Sequence, residues 1–429
     1  MNKAKLGRYL QFALVVLAAG AIYPVIYLKA QYQETILEVF NMTLPQMNNL
    51  YSILGMVFVF GYFPSGILSD KFSAKNLLAI SLLGTAIGGF WFAQVPSFGN
   101  VGIIFAIWGF FSVFTFWSSH MKVVKMLSTA DEDGRFFGIL DGGRGLVEAV
   151  LALFALAIFS GILGTSLDLG DKKTALVAVV YMYSAVLLVT SILVFLFVED
   201  DKKKADGQPA EYSRFRFSDL GAVFKNKYVY IQGLVVFAGY TVFWTNYYFG
   251  GHLQTNMGVT PVTVGSIMVA VLWMRPIGGT LGGFLADKIG KSVTIAGSLV
   301  GAGICLLLLA VLPKSLPTAV YGALIIVSGL FLYSIRGTYW SLLGQSKIDA
   351  AIMGTAIGVI SFIGYLPDIV LPQMNSFLWN TFGNEGGYNA YFIVSMVIGL
   401  AGAVVAMVYK KLHTAEKAKT EIEEQELSE

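Results

Sequence analysis

The sequence predicts an all-α integral membrane protein built as two pseudo-symmetric six-helix bundles. Three observations predict it. The 429 residues are 56% hydrophobic and only 13% charged, with a mean hydropathy of +0.69, whereas a soluble protein carries roughly 25% charged residues. Twelve apolar stretches recur along the chain, each near the roughly 20 residues that a helix needs to cross a bilayer. The pattern Gly66-x-x-x-Asp70-Lys71 returns as Gly283-x-x-x-Asp287-Lys288, an offset of 217 residues or about half the chain. A repeat at that offset means two related halves.

The apolar stretches run over 9–30, 47–68, 76–95, 101–126, 136–163, 175–198, 229–250, 262–285, 292–313, 317–344, 351–380 and 388–411. Backbone amides cannot stay unpaired in lipid, so each stretch is expected to be helical. None alternates in the manner of a membrane barrel strand. The first stretch follows a basic start and outruns a signal-peptide core without a small-x-small cleavage site, so it reads as an uncleaved first helix. Residues 199–228 form the one long polar stretch inside the chain, with six expected helices on either side. The expected domains are therefore 1–198, a linker at 199–228, a second bundle at 229–411 and a charged tail at 412–429, read as solvated. Nineteen Lys and Arg residues fall in the N-terminus, the 68–76 and 286–291 loops, the linker, Lys347 and the tail counted from Lys410. The opposite loops hold Lys172, Lys173 and Lys314. Basic loops stay in the cytoplasm, which places both termini inside.

Each copy of the repeated motif puts a glycine four residues ahead of an Asp-Lys pair. Glycine lets helix ends approach, and the carboxylate can meet a basic group or a helix N-terminus. With these residues the chain resembles the major facilitator superfamily, whose loop signature reads Gly-x-x-x-Asp-Arg/Lys-x-Gly-Arg/Lys-Arg/Lys. The second copy fits well, with Gly290 and Lys291. The first departs from it at Ser73 and Ala74. The resemblance covers nearly the whole chain and implies a twelve-helix secondary transporter in which Gly66, Asp70, Lys71, Gly283, Asp287 and Lys288 act as a gating motif. The glycine-rich segment at 134–145 lacks the Gly-x-x-x-Gly-Pro-x-x-Gly-Gly run of the drug-antiporter branch.

Ionisable side chains inside membrane helices are costly and mark function by default. The candidates are Lys29, Lys122, Asp141, Arg144, Glu148, Arg275, Arg336 and Asp368, five basic against three acidic. Counting about 1.5 Å per residue places Arg275 and Glu148 near the midplane. Arg275 precedes Pro276, which frees a backbone carbonyl. Lys122, Asp141 and Arg144 read as a structural charge cluster between the fourth and fifth helices. Arg144 and Glu148 are four residues apart on one face, either as a permanent pair or as part of a proton path. Lys29, Arg275 and Arg336 read as anion-binding groups, with Tyr27 and Trp244 as pocket walls. Several anion-carrying branches of the superfamily carry a basic residue late in the first helix, as Lys29 is here. Glu148 and Asp368 read as the proton-coupling pair. His120 reads as a helix contact.

No enzyme chemistry is legible. There is no P-loop, no HExxH and no paired His/Cys spacing, and Gly142-Gly143-Arg144-Gly145 follows no strand, so it is not a dinucleotide site. Cys305 is alone and reads as a buried apolar residue. No cofactor or metal is expected. The expected partners are a small-molecule substrate and the lipid bilayer, with no nucleic acid, and the chain is expected to act as a monomer in the cell (inner or plasma) membrane. The net basic interior favours a small organic anion, carried by alternating access and coupled to protons, as in symport, or to exchange. Two alternatives stand beside this: a carrier of neutral sugars or nucleosides with purely structural charges, and a transporter-shaped sensor.

Overall fold

A computed structural model describes residues 3–128, 133–200, 220–346 and 353–426. Most of the linker, Lys347 and the last residues of the tail lie outside them, as does the Asp70 side chain. The regular elements among the described residues are all helical, with no strand. In chain order the helices are α1 (Lys3–Ala21), α2 (Lys29–Val39), α3 (Leu44–Lys71), α4 (Ala74–Phe92), α5 (Phe98–Gly109), α6 (Trp117–Leu127), α7 (Asp133–Leu163), α8 (Leu169–Phe197), α9 (Leu220–Lys225), α10 (Lys227–Trp244), α11 (Phe249–Met257), α12 (Pro261–Ile289), α13 (Lys291–Val311), α14 (Thr318–Thr338), α15 (Met353–Gly364) and α16 (Pro367–Glu426). Nine helical segments among the described residues are long and apolar enough to cross a membrane, and a shorter apolar helix covers Gly7–Ala21.

Local chemistry explains where helices start. Thr43 accepts from the Gln46 amide while the Gln46 side chain accepts from the Thr43 amide, a capping box with Pro45 behind it. Asp168 caps α8 through the Gly170 and Asp171 amides, and Asn226 caps α10 through the Tyr228 amide. The two motif copies end differently. Gly290 turns into α13 at φ +99°, a backbone angle that glycine alone adopts freely. Ser73 stands at φ −62° and caps α4 through its hydroxyl. The departure at Ser73 is thus a helix cap in place of a glycine turn.

Interruptions inside the apolar stretches set the architecture of the site. The first stretch is two helices, since the backbone turns through residues 22–28 before α2 resumes at Lys29. Pro24 lies in this turn, lacks an N–H and crowds the preceding helix carbonyl. The corresponding stretch of the second half passes from α10 through a 3₁₀ turn at Thr245–Tyr247 into α11. A π-helical turn, Phe110–Thr115, joins α5 to α6. Gly383, at φ +73°, breaks the long α16.

The chain forms two compact units. The first comprises residues 1–209 with 246–273 and 368–388, and the second comprises 210–245, 274–367 and 389–429. In the first unit α4 lies along α8, α1 along α7, and α11 against α2. In the second, α13 lies along α14 and α10 along α15. The tail read as solvated is helical, an extension of α16 as far as Glu426. Glu416 accepts from Lys227 Nζ and from the Tyr228 hydroxyl, each at 2.6 Å, and Tyr409 donates to the Leu342 carbonyl. Lys227 and Tyr228 at the start of α10 therefore hold a segment whose own composition reads as solvated.

Candidate functional site

The first unit carries three groups of polar side chains. One surrounds the Arg144–Glu148 pair on α7. Arg144 Nε lies 3.2 Å from Glu148 Oε1, with 13% and 12% of the two side chains exposed. Both therefore retain a route to water. The Arg144 guanidinium also sits 4.7 Å from the centroid of the Tyr23 ring. The Tyr23 hydroxyl donates to the Ser112 carbonyl at 3.1 Å, inside the π-helical turn. Turns of this kind recur at functional positions because they re-aim side chains without breaking the helix. His120 is buried and stacked on Phe116, a helix contact.

The second group surrounds Lys29, which is fully buried. Its ammonium lies 4.2 Å from the ring centroid of Tyr51 on α3, 4.1 Å from that of Tyr248 and 5.8 Å from that of Tyr247. Tyr27 stacks between Tyr51 and Tyr247, with centroids at 5.7 and 4.8 Å. The break in the first helix brings Tyr23, Tyr27 and Lys29 to these places, and an uninterrupted helix would aim them elsewhere. Tyr248 donates to Asn48 Oδ1 at 2.9 Å. Asn48 Nδ2 donates in turn to Asn375 Oδ1 at 2.8 Å and to Ser376 Oγ at 3.1 Å. Further along this seam Gln373 donates to Asn49 and Ser52. Asp368 is buried, and its carbonyl lies so close to Gly55 that a side chain there would collide with it.

The far end of the unit, remote from the N-terminus, holds a polar cap. Gln33 Nε2 donates to Tyr388 at 2.5 Å and to Glu34 at 2.9 Å. Asn256 bonds to His252 and to the Glu385 carbonyl. Glu34 lies beyond the first apolar stretch. Burial pushes its carboxyl above the usual carboxylate range, against donors from Gln33, Thr255 and Tyr388. Gly250 and Gly251 make this meeting of α2 and α11 possible: a Cβ on Gly250 would stand 2.9 Å from the Ala30 carbonyl, and one on Gly251 would collide with Gln33 and Tyr388.

In the second unit the Arg336 guanidinium lies 4.4 Å from the Phe243 ring centroid. Tyr240 meets Tyr365 edge-on at 4.9 Å, and Trp340 donates to the Tyr365 hydroxyl at 3.1 Å. Trp244 is buried. Arg275 is half-buried on α12, one residue before Pro276.

Of the other residues singled out from sequence, Lys122 donates to the Ser69 carbonyl at 2.6 Å, at the end of α3, and Asp141 is exposed. Ser69 closes onto the Gly66 carbonyl. Lys71, Asp287 and Lys288 are exposed, and Gly283 has open space where a side chain would stand. Sequence reasoning passed over Asn48, Tyr51, Tyr248 and Asn375. Asn48 and Asn375 are polar residues inside apolar stretches, a signal that was present. The role of Tyr51 depends on which helix it faces, which the sequence does not encode locally.

A family model described as the Major Facilitator Superfamily matches residues 9–372. Among curated proteins, the chain is 28% identical over 407 residues to the inner membrane protein YihN of Escherichia coli, covering 93% of this chain and 94% of that one. It is 24% identical to the inner membrane protein YqcE of the same organism, over 96% and 97% of the two chains. It is also 24% identical to the hexuronate transporter of Bacillus subtilis, over 80% and 81%. Among solved structures, a bacterial homologue of the human lysosomal transporter Spinster, in an inward-facing and unoccupied conformation, superposes with a TM-score of 0.74 at 14% identity, covering 97% of this chain and 98% of that one. The nucleoside transporter NupG superposes with a TM-score of 0.71 at 16% identity, covering 94% and 99%.

Proposed function

The chain belongs to the major facilitator superfamily and is a membrane transporter rather than an enzyme, and from that premise we propose that it carries a small organic anion by alternating access. Transport is coupled to protons, as in symport, or to exchange of one anion for another. The protein spans the membrane twelve times as two six-helix bundles, 1–198 and 229–411, joined by the linker at 199–228. Both termini, with the tail at 412–429, lie in the cytoplasm, and the far end of the first unit faces outward. It acts as a monomer.

The observation that carries this reading is the basic excess inside the apolar stretches, headed by Lys29, buried beside a break in the first helix. A buried charge is expensive and is kept where it is used. Interrupted helices at matching places in the two halves favour a solute site at that depth, as in transporters built from repeats. Lys29, Arg275 and Arg336 hold the anion through charge-assisted hydrogen bonds, with Tyr27 and Trp244 as walls. Glu148 and Asp368 carry the coupling protons. Lys122, Asp141 and Arg144 brace the bundle. Gly66, Asp70, Lys71, Gly283, Asp287 and Lys288 gate the cytoplasmic side. The hexuronate transporter among the relatives favours a sugar acid as the first anion to try. The aromatic side chains of the second unit, Tyr240, Tyr365 and Trp340, are what favours the second reading, a neutral sugar or nucleoside.

Uptake of labelled D-glucuronate, glucose and uridine into proteoliposomes tests the choice. Saturable glucuronate uptake, stimulated by an inward proton gradient or by internal unlabelled anion, is the expected result. Accumulation of glucose or uridine without glucuronate overturns the anion reading.

A further inference from the structure

A lysine that meets an anion must be reachable, and Lys29 in this structure is not: its exposure is 0%. What encloses it is informative. Tyr51 belongs to α3, in the first half of the sequence repeat, whereas Tyr247 and Tyr248 belong to the second half, at the 3₁₀ turn ahead of α11. The cage is completed by a chain of hydrogen bonds, Tyr248 to Asn48 to Asn375 and Ser376, that also crosses between the repeat halves. The Gly250–Ala30 approach places the backbone of α11 directly against the residue after Lys29. An ammonium sealed in this way is stabilised by the negative faces of the rings, an attraction that strengthens when water is excluded.

We propose that the tyrosine cage is a lock on the far end of the transporter, and that it competes with the transported anion for Lys29. With the far end shut, the rings of Tyr51, Tyr247 and Tyr248 hold the ammonium. When α11 and the 368–376 segment withdraw, Tyr247, Tyr248 and Asn375 leave together, and the charge of Lys29 becomes available to an anion entering from that side. The cage re-forms once the anion has passed from Lys29 to the other basic groups proposed for the site, Arg275 and Arg336, so that the far end closes behind a solute already handed inward. The lock stands on the geometry alone; the competition with an anion rests on the proposed anion transport. Tyr51, Tyr247, Tyr248 and Asn48 are then positioning residues, acting through Lys29.

The test reads opening of the seam directly and needs no solute. Cys305, the single native cysteine, is replaced by serine, and Ser52→Cys is introduced behind Gln373, where Ser52 is buried. The rate of labelling by a membrane-impermeant maleimide from the far side then reports opening. Tyr248→Leu and Lys29→Met should each raise that rate roughly three- to thirty-fold, the range of one desolvated cation–π contact. The double variant should fall short of the product of the two single effects, because both break the Lys29–Tyr248 contact. Tyr248→Phe, which keeps the ring, should change the rate less. Tyr51→Leu takes the place of Tyr248→Leu if the latter does not fold. Unchanged single variants, or rates that multiply in the double variant, overturn the lock. Adding D-glucuronate at the far side should raise labelling in the parent and leave Lys29→Met unaffected. A non-additive cycle with no response to glucuronate keeps the lock and rejects competition with that anion.

Discussion

Glu148 shows what a single half-buried carboxylate can be asked to do. It is held by Arg144 at 3.2 Å, and Arg144 is itself backed by the face of Tyr23. Two roles are compatible with a pair four residues apart, a permanent brace and a proton carrier, and they respond differently to loss of charge. Glu148→Gln keeps the shape and most of the hydrogen bonding while removing the titratable group. As a proton carrier, the variant keeps anion exchange within about two-fold and loses accumulation driven by a proton gradient, a loss of tenfold or more that corresponds to about 1.4 kcal/mol or above. As a brace, it loses both together and melts lower, because Arg144 is left buried without its carboxylate. Parallel counterflow and gradient-driven uptake assays separate the two. The first outcome is the expected one, since both side chains keep partial exposure.

At the scale of the element, the decisive feature is that several apolar stretches are not single helices. Pro24 and the turn through 22–28, the π-helical turn at Phe110–Thr115 and the 3₁₀ turn at Thr245–Tyr247 each redirect a helix at the depth where polar side chains gather. The glycine pair Gly250–Gly251 does the opposite and presses α11 onto α2. The polar cap at that crossing is pH-sensitive by construction. Burial raises the Glu34 carboxyl above its ordinary range, so the folded state prefers the protonated form. Its stabilising contribution is therefore full below the ordinary carboxyl range and declines as pH rises through the raised folded value. Neighbouring groups that face it are Glu38, which pushes the same way, and Gln33, Thr255 and Tyr388, which donate to it. Glu34→Gln mimics the protonated form. It is expected to remove the fall in Tm that the wild type shows as pH rises above the ordinary carboxyl range. A thermal-shift series across pH checks this, and a wild-type profile retained by the variant contradicts it.

At the scale of the whole molecule, orientation follows from charge rather than from packing. Nineteen basic residues sit in the segments expected inside, against Lys172, Lys173 and Lys314 on the other side. A positive-inside bias of that size predicts an alkaline-phosphatase fusion after Glu429 to be inactive and a green fluorescent fusion at the same place to be bright. The reverse pattern would move the tyrosine cage to the cytoplasmic end. The docking of α16 through Glu416 onto Lys227 and Tyr228 ties the charged tail to the start of α10, so the fusion needs a flexible spacer.

Composition and spacing alone determined the class of this protein. Lipid leaves a backbone only helix or closed barrel, and long apolar runs that do not alternate as barrel strands do, with a mean hydropathy of +0.69, already imply a helical membrane protein. The motif pair at 66–71 and 283–288 implies two related halves for the same reason that any long repeat does. Charges inside apolar runs could be found by inspection too, because each is conspicuous against its surroundings. What each charge touches could not. Arg144 with Glu148 was legible, as neighbours on one helical turn. Lys29 with Tyr51, Tyr247 and Tyr248, and Asn48 with Asn375, join residues from about twenty to more than three hundred positions apart. Only the tertiary structure decides such partners, because helix packing is set by shape and small-residue contacts distributed over whole faces, and no local pattern records which face meets which.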